Sequence, residues 1–384
     1  MLAVRVICAP DSFKGSLTAA AAAEAMRRGV LDADASAEID VCPIADGGEG
    51  TVDAMCAAGG AERRTSRVRG PLTDLVEAAW TVQKRSTTNT AGSAVLEMAA
   101  AAGLTLLEEN QRDPERTTTY GVGQLIAEAI DAGAMSVLLG IGGSATCDAG
   151  CGAVQALGGR FYDATGSLID SPITGGDLRR MTSFDVEPAR KRCRDVKVRV
   201  ACDVSSPLTG PDGAARVYAP QKGADADAVK RLDAGLRHLA ECWRQQLGVD
   251  VEAHAGAGAA GGLGGGLLAM LNATLERGID LVLETVNFHE RVARCDLCLA
   301  GEGKLDGQSL SGKAVLGVAK AAGSHGVPAH ALVGRVGEHA ERTRHAGLTG
   351  YHEIARDLPD QQAMRCAAPL LQAATAALVR KLSH

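Results

Sequence analysis

Six times along this chain a short apolar run stops at a loop of glycine, acidic or hydroxyl residues, and a helix-compatible stretch follows. Residues 4–9 lead to DSFKGS and an alanine-rich helix, 39–44 to ADGGEGT, and 136–141 to GGSATCDAG. Residues 196–202 lead to DVSSPLTG, 297–300 to GEGKLDGQS, and 329–333 to GRVGEH. Strands alternating with helices are βαβ units, whose crossovers build largely parallel sheets. In such sheets anionic ligands are held beyond the carboxyl ends of the strands, where helices begin. The chemistry of this chain therefore belongs to those loops.

With 384 residues and ~150 residues per domain as a guide, two domains are expected. The punctuation RGPLTD near residue 70 and ETVNF near 285 marks their boundaries. Aromatic residues are only 3% of the chain, so the cores must be built from Ala, Val, Leu and Ile. The net charge of −6 and the lack of a basic stripe speak against nucleic-acid or acidic-membrane partners, since such binding needs concentrated positive charge. No leader-like segment or apolar run of about twenty residues occurs, which predicts a cytoplasmic protein. Eleven cysteines, scattered through strand-like runs, read as reduced core thiols. The Cys295–Cys298 spacing has no second pair to complete a metal set. Cys147 and Cys151 lie in a glycine-rich loop with nothing nearby to make a zinc site, and the nine histidines form no ligand cluster.

Two familiar glycine patterns are weak here. Gly256, Gly258 and Gly261 fit G-x-G-x-x-G, but the residues before them make a poor buried strand and the glycines continue to Gly266. The run AHAGAGAAGGLGGGLL reads instead as a tight turn where backbone meets a ligand or a neighbour. GQSLSGK at 307–313 fits a phosphate-binding loop except that Ala314 stands where the metal-binding hydroxyl belongs.

At six loops the chain closely resembles the type-1 glycerate kinase family. The stretches are APDSFKGSLTA, PIADGGEGT, GIGGSATCDAGCG, ACDVSSPLTG with APQKGA, GAAGGLGGGLLA, and LAGEGKLDGQSLSGKAVLGVA. They run from residue 9 to about 319. The resemblance implies a two-domain α/β fold, with a Rossmann-like parallel-sheet domain built from both chain ends (1–70 and 286–384). A second α/β domain (71–285) is inserted between them, with the active site in the cleft. It implies transfer of the γ-phosphoryl group of ATP, with Mg²⁺, to a hydroxyl of D-glycerate, 2-phosphoglycerate being the favoured product. The chain departs from the family at Cys147 and Ala149, where Asn and Gly are usual, at Lys304 for Arg and at Gly307 for Ser.

Phosphoryl transfer needs donors for phosphates, carboxylates for Mg²⁺, a base and balancing cations, and the loops hold all four. Gly142, Gly143, Ser144, Thr146 and Asp148 form a candidate phosphate cradle ahead of a helix, with Glu302, Gly303 and Asp306 as further nucleotide-binding candidates. Asp203, at a strand's carboxyl end, is a candidate base or Mg²⁺ ligand. Asp46 and Glu49 are further metal candidates, Asp46 also a catalytic one. Lys14 is the candidate for gripping the glycerate carboxylate and for catalysis, with Asp11 and Ser12 beside it as further substrate-binding candidates and Lys222 and Lys304 as other substrate-binding cations. Two other readings are an NAD-dependent hydroxy-acid dehydrogenase using the glycine run and Asp280, and a non-catalytic sugar-acid sensor. A homo-oligomer is left open.

Overall fold

The computed structural model describes residues 3–59, 61–83, 92–306 and 314–382. Its strands are β1 Arg5–Pro10, β2 Glu38–Val41, β3 Glu62–Arg69, β4 Leu75–Gln83, β5 Ser93–Glu97, β6 Ser136–Gly140, β7 Arg160–Asp163, β8 Met181–Asp185, β9 Lys197–Ala201, β10 Thr274–Glu276, β11 Leu297–Leu305, β12 Ala329–Val336 and β13 Gly350–Glu353. The chain divides into two units. One comprises Met1–Asp46, Asp53–Gly60 and Ile279–His384, and the other Gly47–Val52 and Ala61–Gly278.

The first unit is built from both ends of the chain on a five-stranded parallel sheet, ordered β13-β12-β11-β1-β2. Strand β1 lies inside it, with Val6 opposite both Leu297 and Ile39. Its apolar run is buried on both faces of the sheet, as an interior parallel strand requires. Val6, Cys8, Met26, Leu299, Leu332 and Leu371 form the core on one side. The helix Ala19–Ala33 follows the 11–18 turn and is capped by Thr18, whose hydroxyl accepts from Ala21 N. The chain beyond β2 keeps to the side of β1 through Cys42 N to Cys8 O (2.8 Å) and Ile44 N to Pro10 O (2.9 Å).

Strand β11 corrects an expectation. Residues 301–305 read as a loop, yet they extend the strand, with Glu302 opposite Val333 and Lys304 opposite Arg335. The neighbouring β12 continues to Val336 and supplies pairing partners, so tertiary context overrides the glycines and charges that mark a loop. GQSLSGK at 307–313 lies outside the described residues.

The second unit holds a six-stranded sheet ordered β10-β9-β6-β5-β4-β3. The first four strands are parallel and the last two antiparallel. Trp80, Leu96, Leu125, Leu139, Val200 and Trp243 are buried in its core. RGPLTD, expected to mark a boundary, is the turn of the β3–β4 hairpin, closed by Gly70 N to Asp74 O at 2.6 Å. Gly, Pro and Asp punctuate hairpins as readily as domain borders. The chain passes between units at 60/61 and 278/279, with an excursion at 47–52.

Candidate active site

In the second unit the parallel strands β6 and β9 end side by side, Gly140 opposite Ala201. The segment 47–52 lies across those ends. A Cβ at 140 would collide with the Gly47 carbonyl, and one at Gly47 (φ +87°) would stand 2.5 Å from Ala201 Cβ. Only glycine at both positions permits so close a crossing. Thr51 Oγ1 donates to Gly48 O at 2.7 Å, and Val52 N donates to Glu97 Oε1 at 2.7 Å. Glu49 is exposed on this strap, and Asp46, half-buried, precedes it in the first unit.

Two further groups reach the same strand ends. Gly142 and Gly143 are exposed after β6, with Ser144 half-buried beside them. A Cβ at 142 would lie 3.3 Å from Gly48 Cα, so loop and strap are in contact. Asp203, two residues past β9, is exposed, and its Oδ1 accepts from Gly278 N at 3.0 Å. The structure thus brings together Gly142, Gly143, Ser144, Glu49 and Asp203.

The rest of the 144–150 loop is scaffold. Asp148 is fully buried. Its Oδ2 accepts from Thr119 N (2.8 Å), Thr119 Oγ1 (2.7 Å) and Gly152 N (3.3 Å), and its Oδ1 from Gly150 N (3.2 Å). Burial pushes its carboxyl above the usual range against the pull of those donors. The N–H groups that begin the short helix Cys151–Ala156 are therefore engaged within the chain, Cys151 N by the Asp148 carbonyl, Gly152 N by its carboxylate and Ala153 N by Thr119 Oγ1. Thr146 is also fully buried, and its Oγ1 has no hydrogen-bond partner. The predicted cradle narrows to 142–144, because Thr146 and Asp148 turn inward.

Lys222 likewise faces inward. It is 1% exposed, and its Nζ donates to Ser144 Oγ and Thr146 O, each at 2.7 Å. Burial lowers its pKa to about 8, partly offset by Cys147 and Asp148. A cation so enclosed holds the loop and cannot also grip a substrate carboxylate, as the sequence suggested. Sequence reasoning missed Thr117, whose Oγ1 donates to Ala145 O at 2.9 Å, as well as Thr119 and Glu97. The threonine run at 117–119 before a helix was the available signal.

The glycine run 256–266 meets a neighbour, not a ligand. Cβ atoms at Gly261 and Gly266 would collide with the Thr146 and Ala149 carbonyls, and Ala149 N donates to Gly261 O at 3.1 Å. The backbone a dinucleotide would need is occupied by the 146–150 loop, so the dehydrogenase reading loses its motif.

In the first unit, Asp11 N donates to Gly301 O (2.9 Å), and Asp11 Oδ1 accepts from Ser12 N (2.6 Å). Lys14 is exposed on the turn closed by Phe13 and Leu17. Gly303 packs beneath it, a Cβ there falling 3.3 Å from Lys14 N. Glu302 is 7% exposed, whereas Lys304 is exposed and pairs with Asp306 at 3.1 Å. The 11–14 turn and residues 301–303 are thus neighbours at the carboxyl end of β1, although Thr18, not Asp11 or Ser12, caps the helix.

Parallel sheets whose strand ends carry exposed lysine, carboxylates and glycine-rich backbone define an α/β enzyme for small anionic substrates. The family model for the glycerate kinase family matches residues 6–383. Glycerate kinase from Bacillus subtilis (strain 168) is 45% identical over 91% of this chain and 90% of its own length. Glycerate 2-kinase from Escherichia coli (strain K12) is 43% identical over 86% of this chain and 85% of its own. A crystal structure described as a candidate glycerate kinase 2 from Salmonella typhimurium LT2 superposes with a TM-score of 0.88 at 38% identity, covering 99% of this chain and 98% of that one. The chain belongs to the glycerate kinase family. Its activity is that of a glycerate kinase, transfer of a phosphoryl group to an alcohol group.

Proposed function

We propose that the protein transfers the γ-phosphoryl group of ATP to the 2-hydroxyl of D-glycerate, giving 2-phosphoglycerate and ADP, with Mg²⁺, in the cytoplasm. The relative named glycerate 2-kinase, similar over 86% of this chain, carries the choice of hydroxyl. The open backbone at 142–144 offers N–H groups to phosphate oxygens, and Ser144 adds a hydroxyl. Asp203 takes the proton of the attacking hydroxyl, and Lys14 holds the glycerate carboxylate as a point charge. Asp306, half-buried, is a nucleotide-side candidate of the first unit, and Lys304, exposed and paired with it, a further substrate-binding cation.

Mg²⁺ suits the donors present. Among the described residues no three His, Cys, Asp or Glu side chains form a metal cage. This ion needs none, being held in kinases by one or two carboxylates together with the substrate phosphates. Glu49, which is exposed, would hold it, with Asp46 adjoining. When bound, the ion neutralises charge on the transferring phosphoryl group.

The test couples the product of ATP, Mg²⁺ and D-glycerate directly to enolase, which consumes only the 2-phosphate. A signal without added phosphoglycerate mutase is expected. One that requires the mutase assigns the 3-hydroxyl, and ADP release indifferent to glycerate removes the reading.

A further inference from the structure

An ammonium has hydrogens to give and no lone pair to accept with, whereas a serine hydroxyl has one hydrogen and two acceptor positions. Where the two meet, the direction of the hydrogen bond is fixed. Lys222 Nζ stands 2.7 Å from Ser144 Oγ and 2.7 Å from Thr146 O, beneath the loop that follows β6. Ser144 is half-buried, with Gly142 and Gly143 exposed beside it, while Lys222 is enclosed. We infer that Lys222 is a positioning residue: by making Ser144 Oγ an acceptor on its inner side, it turns the serine hydrogen to the open side of the loop, where it donates to a phosphate oxygen of the nucleotide.

This rests on the kinase reading for the identity of the ligand, while the direction of the hydrogen bond is set within the loop. Thr146 O is anchored by the same ammonium, so one buried charge fixes both a donor direction and the backbone that carries it. The charged and titratable groups around it are Cys147 and Asp148 of the loop. On the side of the following turn, the Arg112 segment packs its carbonyl and Cβ against Gly223. Burial brings Lys222 to about 8. Above that pH the amine gains a lone pair, and the serine hydrogen is no longer held outward.

The experiment measures ATP affinity by calorimetry without glycerate, from pH 7 to pH 9.5, on the wild type and on Ser144→Ala. The wild type should lose affinity as pH rises through about 8. Ser144→Ala should bind ~10-fold more weakly at pH 7, the worth of one hydrogen bond to a charged group, and show no alkaline loss. Lys222→Met, if folded by its circular-dichroism spectrum, should cost much less affinity in the Ser144→Ala background than in the wild type. The same alkaline loss in Ser144→Ala as in the wild type, or wild-type affinity in Ser144→Ala, would overturn the inference. Should the wild type bind ATP with the predicted coupling yet leave glycerate unphosphorylated, the kinase reading fails and this inference stands.

Discussion

Neutralising Asp203 and neutralising Asp148 should give opposite signatures, because one carboxylate is exposed at a strand end and the other is spent on the chain's own backbone. In Asp203→Asn the amide oxygen can still accept from Gly278 N, so the melting temperature should stay near that of the wild type. The rate should fall ~10²–10⁴-fold if Asp203 is the base. In Asp148→Asn one oxygen must replace two that together take four donors. A stability loss of ~1.5–3 kcal/mol is expected, read as a lower melting temperature. A kcat loss in Asp148→Asn without thermal destabilisation would move that residue into the chemistry. Lys14→Ala should raise KM for glycerate while leaving KM for ATP nearly unchanged; equal rises in both would remove Lys14 from the glycerate carboxylate. At this scale, residue type and position were legible and orientation was not. The GGSATCDAG loop reads as a candidate site, but nothing in its letters says that Gly142–Ser144 face out while Thr146 and Asp148 face in. That division is made by Thr117, Thr119 and Lys222, which lie far away in sequence.

Among the elements, those with an apolar period were readable and those set by a partner were not. The runs at 4–9, 136–141 and 196–202 became β1, β6 and β9 because each is enclosed by parallel neighbours. The length of β11 depends on β12, and RGPLTD is a hairpin turn because β3 finds β4; neither partnership has a local signal. The glycine run before the helix Leu263–Leu271 shows the same rule, since its meaning depends on the 146–150 loop packed against it. Gly266→Ala should therefore be costly, its methyl driven into the Ala149 carbonyl. A loss of ~3 kcal/mol or more is expected, at the upper end for overpacking because the clash is with backbone, with activity falling as the loop is displaced. Gly50→Ala is a useful contrast: φ is +91° but the space is open, leaving only backbone strain of ~1–2 kcal/mol. Equal melting temperatures for the two variants would refute this account of the glycine run.

For the whole molecule, stability at alkaline pH should reflect two opposed titrations. Lys222 titrates near 8 when folded against an ordinary 10.5. Between those values the unfolded chain holds a proton the folded chain has lost, so rising pH favours folding. Burial lifts the thiols of Cys42 and Cys147 from 9.0 to about 12. From about pH 8 upward the unfolded chain loses protons that the folded chain keeps, and through these groups rising pH opposes folding. Nine thiols are raised by burial in this way, against one lowered lysine, so urea midpoints should fall from about pH 8 upward, less steeply than the thiols alone would give. The Lys222→Met variant should fall more steeply than the wild type between about pH 8 and 10, and parallel curves would contradict the burial of that lysine. The sheet order of the first unit has a further consequence, in time. Strand β1 is synthesised long before β11, one of its two neighbours, while the other, β2, follows it closely. Arg5 N and Asp296 Oδ2, joined at the edge of that pairing, are 291 positions apart. At ~5–20 residues per second the opening strand waits ~15–60 s for β11, while the contiguous stretch 61–278 can already fold. Throughout that interval the VRVICA segment has β2 on one side only, and its other edge stays open to pairing with foreign strands.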